Sequence, residues 1–65
     1  MVRDEWIRRC AARYVAAGDV EPVMARLYAQ TRADDQAELH GESGAAWISP
    51  EDAADEDMAD WDEDG

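Results

Sequence analysis

On a wheel of about 100° per residue, Trp6, Ile7, Cys10, Tyr14 and Ala17 gather within about one quadrant, which predicts a first helix from Asp4 to Ala17. Gly18 follows the last periodic residue and suits the left-handed position that closes a helix. Asp19 then offers an N-cap. Val20, Val23, Met24, Leu27 and Tyr28 supply the apolar face of a second helix, Val20 to Thr31, with Glu21 and Pro22 in its first turn. Two helices joined by Gly18-Asp19 read as an antiparallel αα-hairpin. In this phase Leu27 belongs to the core, and its replacement by Ala is expected to cost about 2–5 kcal/mol. Extending the same face places Asp34, Asp35 and Glu38 where apolar residues should stand, so the second helix is expected to end near Arg32. Asp34 to His40 then reads as a separate short turn with Leu39 docked inward. Gly41-Glu42-Ser43-Gly44 has the composition of a loop, and Ala45 to Ile48 reads as an extended segment packed on the hairpin.

Ser49-Pro50-Glu51-Asp52 is the clearest local signal in the chain. Ser is a preferred N-cap, Pro fits the first helical position, and carboxylates in the first turn meet the positive end of the helix dipole. Ile48 ahead of the cap can pack on Ala53 as a small hydrophobic staple. A third helix from Pro50 to Trp61 follows, with Ala54, Met58 and Trp61 at i, i+4 and i+7 as its apolar seam. The expected fold is all-α, one small domain: a helical hairpin (4–31), a loop with a short turn (32–48), an acidic helix (49–62) and a tail (63–65).

Composition sharpens this picture. Thirteen of the apolar residues are Ala, so few large side chains are available for a core. A chain of 65 residues buries only about 60% of the surface its unfolded form exposes, which argues against an enclosed multi-domain active site. No run approaches the roughly 20 apolar residues of a membrane span. The opening MVRDEWIRR lacks a signal-like apolar run, and the single Cys excludes an internal disulfide, so a reducing, cytoplasmic setting is expected.

Charge divides the sequence. All six Arg (Arg3, Arg8, Arg9, Arg13, Arg26, Arg32) stand in residues 1–33 beside four acids, a net of +2; residues 34–65 hold thirteen acids and no base, a net of −13. A total of −11 repels phosphate and argues against direct nucleic-acid binding. The acidic helix carries Glu51, Asp52, Asp55, Glu56, Asp57 and Asp60, and Asp62, Glu63 and Asp64 follow. Six acids on about 18 Å of helix give one charge per about 3 Å, against one per about 1.7 Å for duplex DNA. Two readings stand open: a solubilising segment, or a carboxylate surface that imitates phosphates. Under the second, these nine acids together with Trp61 bind a basic partner, the indole stacking on guanidinium groups. Trp61 equally suits the core, as does Trp6, while Trp47 suits a clamp holding the loop on the hairpin. Arg8, Arg9 and Arg13 lie off the apolar face and are expected to pair with the acidic half of their own chain.

Other chemistry is thinner. Asp60 to Gly65 matches the opening D-x-D-x-D-G of a calcium loop, but the sequence stops before the bidentate Glu and exiting helix that such a loop needs, so no metal site and no cofactor are expected. Cys10 lies on an apolar arc far from His40, the sole His. No nucleophile–base pair, phosphate loop or zinc spacing can be assembled, and no enzymatic activity is expected.

The stretch EDAADEDMADWDED, within residues 50–64 and beside a helical hairpin, resembles the small phage or mobile-element proteins that mimic DNA, some anti-CRISPR proteins among them. That resemblance implies inhibition of a DNA-binding protein, such as a CRISPR effector or a restriction enzyme, by occupation of its DNA groove. The alternative is a helical interaction module, an antitoxin or a small regulatory subunit, that binds through apolar helix faces.

Overall fold

The computed structural model describes residues 2–42 and 46–61, which form three helices: α1 (Arg3–Gly18), α2 (Pro22–His40) and α3 (Pro50–Trp61). No strand occurs among the described residues. The all-α three-helix class expected from the periodicity is the class observed.

α1 is the centre of the molecule. Its buried residues, Trp6, Ile7, Cys10 and Tyr14, belong to the arc that the periodicity marked, whereas Ala17, the fifth residue of that arc, is exposed. α2 packs antiparallel to it, so that Arg3 meets Asp34 at one end and Tyr14 meets Tyr28 at the other. α3 runs parallel to α1 in a fixed register. Trp6 Nε1 donates to the carbonyl of Ile48 (2.9 Å), Arg9 pairs with Glu51 and Arg13 with Asp55, each 42 residues on. α2 and α3 scarcely touch, so α1 is the shared wall on which both are laid.

The turn between α1 and α2 departs from expectation. Gly18 is the last residue of α1, and Asp19 takes the left-handed conformation (φ 56°, ψ 35°), which the short polar side chain of Asp tolerates better than most. The Val20 amide closes the helix by donating to the carbonyl of Tyr14 (3.3 Å). Glu21 rather than Asp19 occupies the N-cap of α2, with Pro22 in the first turn.

The larger correction concerns the phase of α2. Its buried residues are Ala25, Ala29 and Ala33, spaced at i, i+4 and i+8, all fully excluded from solvent. Val23 (67% exposed), Met24 (41%) and Leu27 (50%) face outward. Of the expected face, only Val20 and Tyr28 are partly buried against the core. A row of small side chains lets two backbones approach closely, and here that row, not the row of larger aliphatics, meets α1. The same shift removes the reason for ending the helix at Arg32. With the alanines inward, Asp34, Asp35 and Glu38 fall on solvent and α2 continues to His40. Residues 32–40 are therefore helix rather than a loop with a separate turn, and Leu39 is 72% exposed rather than docked. Of the loop and extended segment expected over 41–48, residues 43–45 lie outside the described residues.

α3 begins as its sequence indicates. Ser49 Oγ accepts from the amide of Asp52 (3.1 Å) and the Ser49 carbonyl from that of Ala53 (3.0 Å). Pro50, Ala53 and Ala54 are buried and Met58 is partly so. Trp47 and Ile48 pack on the core. Trp47 meets Trp6 edge to face at 5.3 Å and donates its Nε1 to the carbonyl of Gly41 (2.8 Å), the clamp that the sequence assigned to it.

Candidate functional site

α3 carries its acids on three sides, and the three sides have different neighbours. Towards α1, Glu51 receives a two-pronged contact from Arg9 (3.1 and 3.2 Å) and Asp55 one from Arg13 (2.8 and 3.0 Å). Both pairs are planar forks at the solvent edge of the helix contact, the geometry in which guanidinium and carboxylate match best. The expectation that Arg9 and Arg13 serve their own chain is met. Arg8 and Arg26 have no carboxylate within ion-pair distance among the described residues.

Between α1 and α2, Asp57 accepts a hydrogen bond from the Tyr14 hydroxyl of α1 at 2.6 Å. Burial, then this contact with the carboxylate, pushes the phenol well above its ordinary pKa. Tyr14 is also stacked on Trp61 (5.7 Å, 21°), and Tyr28 meets the same indole edge-on. Trp61 is 46% exposed: it packs on Tyr14 and Tyr28 at the end of the helix pair and leaves part of its indole open to solvent.

On the outer side stand Asp52, Glu56 and Asp60, all exposed. At i, i+4 and i+8 they form a row of carboxylates about 6 Å apart. Around the edge of that row lies a groove of about 420 Å³ between α3 and α2, lined by Glu56, Asp57 and Asp60 on one wall and Asp35 and Glu38 on the other. Arg32 is the one cation lining it among the described residues, and it is paired with Asp35 at 2.8 Å. From the sequence, Asp35 and Glu38 read as residues that end the second helix and not as part of an acidic surface, because the expected phase of α2 put them on its apolar face. The four-residue spacing of Ala25, Ala29 and Ala33 was the available signal.

The ten residues assigned from sequence to partner binding thus separate. Glu51 and Asp55 are engaged within the chain. Asp52, Glu56 and Asp60 face outward, Asp57 lies between, and Trp61 presents one face. Asp62, Glu63 and Asp64 lie outside the described residues. No group of three or more candidate metal ligands occurs among the described residues. Cys10, fully buried, has its thiol pushed up to about 12, chiefly by burial.

The ion pairs make a pH prediction. The guanidinium of Arg13 holds the Asp55 carboxyl below its ordinary value, and Glu51 is held low first by its own backbone amide and further by Arg9. A carboxyl whose pKa is lower in the folded chain than in the unfolded one stabilises the fold above its ordinary pKa, and that contribution is lost as pH falls through the folded value. The parent should therefore be more stable than Asp55→Asn by a small, constant margin at neutral pH, and the margin should close below about pH 4. Urea melts of both proteins across that range measure it. An unchanged margin at acid pH would show that the ionised pair contributes nothing.

The comparisons place no relative beside this surface: no family model, no curated protein and no solved structure matches the chain.

Proposed function

We propose that the chain is a non-enzymatic, DNA-mimicking inhibitor that occupies the basic nucleic-acid-binding surface of a target protein, such as a CRISPR effector or a restriction enzyme. The observation that carries this reading is the outward carboxylate row Asp52, Glu56 and Asp60, joined by Asp57 at the groove. These four acids have no arginine within ion-pair distance among the described residues. They lie on a helix of about 18 Å, or one charge per about 4.5 Å, nearer to the single-strand spacing of about 3.4 Å than to the duplex value of about 1.7 Å. Because Arg9 and Arg13 fix the adjacent side of α3 on α1, the row is held on an ordered helix. A target would then gain charge-assisted contacts without first ordering the ligand.

The test is competition. The full chain is added to a purified CRISPR effector, or to a restriction enzyme, holding a fluorescent DNA duplex. Displacement of the DNA, weakening steeply as salt rises, is the expected result. Simultaneous binding of both, or displacement insensitive to salt, would overturn the reading. The second reading, a module that binds through apolar helix faces, is favoured by the exposed Val23, Met24 and Leu27; binding indifferent to salt is its signature.

A further inference from the structure

The outward side of α2 is left without a function by the acidic row of α3. Val23, Met24 and Leu27 project from the side opposite Ala25, Ala29 and Ala33, as positions at about 100° per residue require, and each is 41–67% exposed. Larger aliphatics turned to water while alanines fill the core is the reverse of the usual order of burial. Further along the same side come Thr31, Asp34, Asp35 and Glu38. Asp34 and Asp35 are ion-paired at the surface with Arg3 and Arg32, contacts that solvent screens and a partner's cation can share, while Glu38 has no such neighbour among the described residues. Every charged residue on this side is acidic, and Arg26 stands at its edge.

We propose that this side of α2 is a docking surface for a basic amphipathic helix of a partner protein. The partner's apolar stripe seats on Val23, Met24 and Leu27, and its Lys or Arg residues reach Asp34, Asp35 and Glu38. Complementary charge selects this occupant. A second copy brings a like charge of −11, and three aliphatic side chains fall far short of the roughly 20–30 residues a side in a stable protein interface. A short helix asks for less: two or three anchors at i, i+3 or i+4 spacing are the recurring mode of helix recognition. The proposal holds whether or not the row on α3 competes with nucleic acid.

The probe is a synthetic peptide of about five helical turns, with Leu along one face and Arg on its flanks, titrated into the full chain and followed by backbone amide shifts. A companion peptide has Ser for every Leu and the same charge. The Leu peptide is expected to shift the amides of Val23, Met24 and Leu27, and the Val23→Ser/Leu27→Gln double variant to weaken it about tenfold at an unchanged melting temperature. Should the double variant lose its cooperative melt, the single change Leu27→Gln carries the same comparison. Equal binding of the Ser peptide, shifts centred on α3, no binding at about 1 mM, or a dimer of the chain that the double variant dissolves would each overturn the proposal.

Discussion

Replacing Ala29 with leucine should destabilise the fold by about 1–3 kcal/mol or more. Ala29 is fully buried between Ala25 and Ala33 on the side of α2 that meets α1. Three extra carbons there must be accommodated by pushing two backbones apart or by forcing side chains out of their preferred rotamers. The margin is thin, because a domain of this size is stable by only about 0.05–0.15 kcal/mol per residue. Leu27→Ala, by contrast, should change stability by no more than about 0.5 kcal/mol, as surface substitutions usually do. Urea unfolding of the two variants beside the parent decides the phase of α2. A costly Leu27→Ala together with a harmless Ala29→Leu would return the aliphatic row to the core.

That pair of variants also marks where the sequence was readable. α1 was legible because its buried positions include large side chains at helical spacing, Trp6, Ile7 and Tyr14. In α3 the seam of Ala54, Met58 and Trp61 gave the facing side, although its buried positions are the small Pro50, Ala53 and Ala54, while Met58 is partly buried and Trp61 46% exposed. Ser49 and Pro50 set the start of α3 by local chemistry alone. In α2 two faces compete, and side-chain size points to the one that faces solvent. What decides between them is how closely α2 can approach α1, a property of the packed pair and not of either sequence segment. The same phase sets the helix end at Arg32 and docks Leu39, and it makes Asp35 and Glu38 read as helix-ending residues instead of members of an acidic groove. Within the acidic helix, sequence identified the carboxylates but not their division, since Arg9 and Arg13 lie 42 positions from their partners and only the parallel register of α1 and α3 selects Glu51 and Asp55.

Conversion of Asp52, Glu56 and Asp60 together to Asn, Gln and Asn should abolish displacement of DNA from the target while leaving the fold intact. All three are exposed, so their amides keep the shape and remove only charge. Relief of repulsion along an i, i+4, i+8 row of like charges should if anything stabilise the helix slightly. Single amides should each weaken displacement modestly, because neighbouring carboxylates still face the target. The inner pair gives the contrast. Glu51→Gln with Asp55→Asn loosens the seating of α3 on Arg9 and Arg13, and frees two arginines beside the row. It should therefore act on the melt as well as on binding, whereas the outer triple acts on binding alone. An outer triple that displaces DNA as well as the parent does would remove the acidic row from the mechanism.

Since α2 and α3 touch only lightly, through Tyr28 and Trp61 at one end, lifting of α3 would leave most of the α1–α2 contact in place, in the manner of an independently opening unit. Cys10 is placed to report that event. Its side chain is sealed at the centre of α1, within the fields of Arg32 from α2 and of Glu51 and Asp57 from α3, and its thiol is pushed up to about 12. In the closed chain it is a poor nucleophile; uncovered, it returns toward the ordinary thiol value near 8.5 and becomes reactive. The alkylation rate of this one sulfur is thus a clock for the docking of α3. It should run faster in the Glu51→Gln/Asp55→Asn variant and keep the parent's pace in the outer triple.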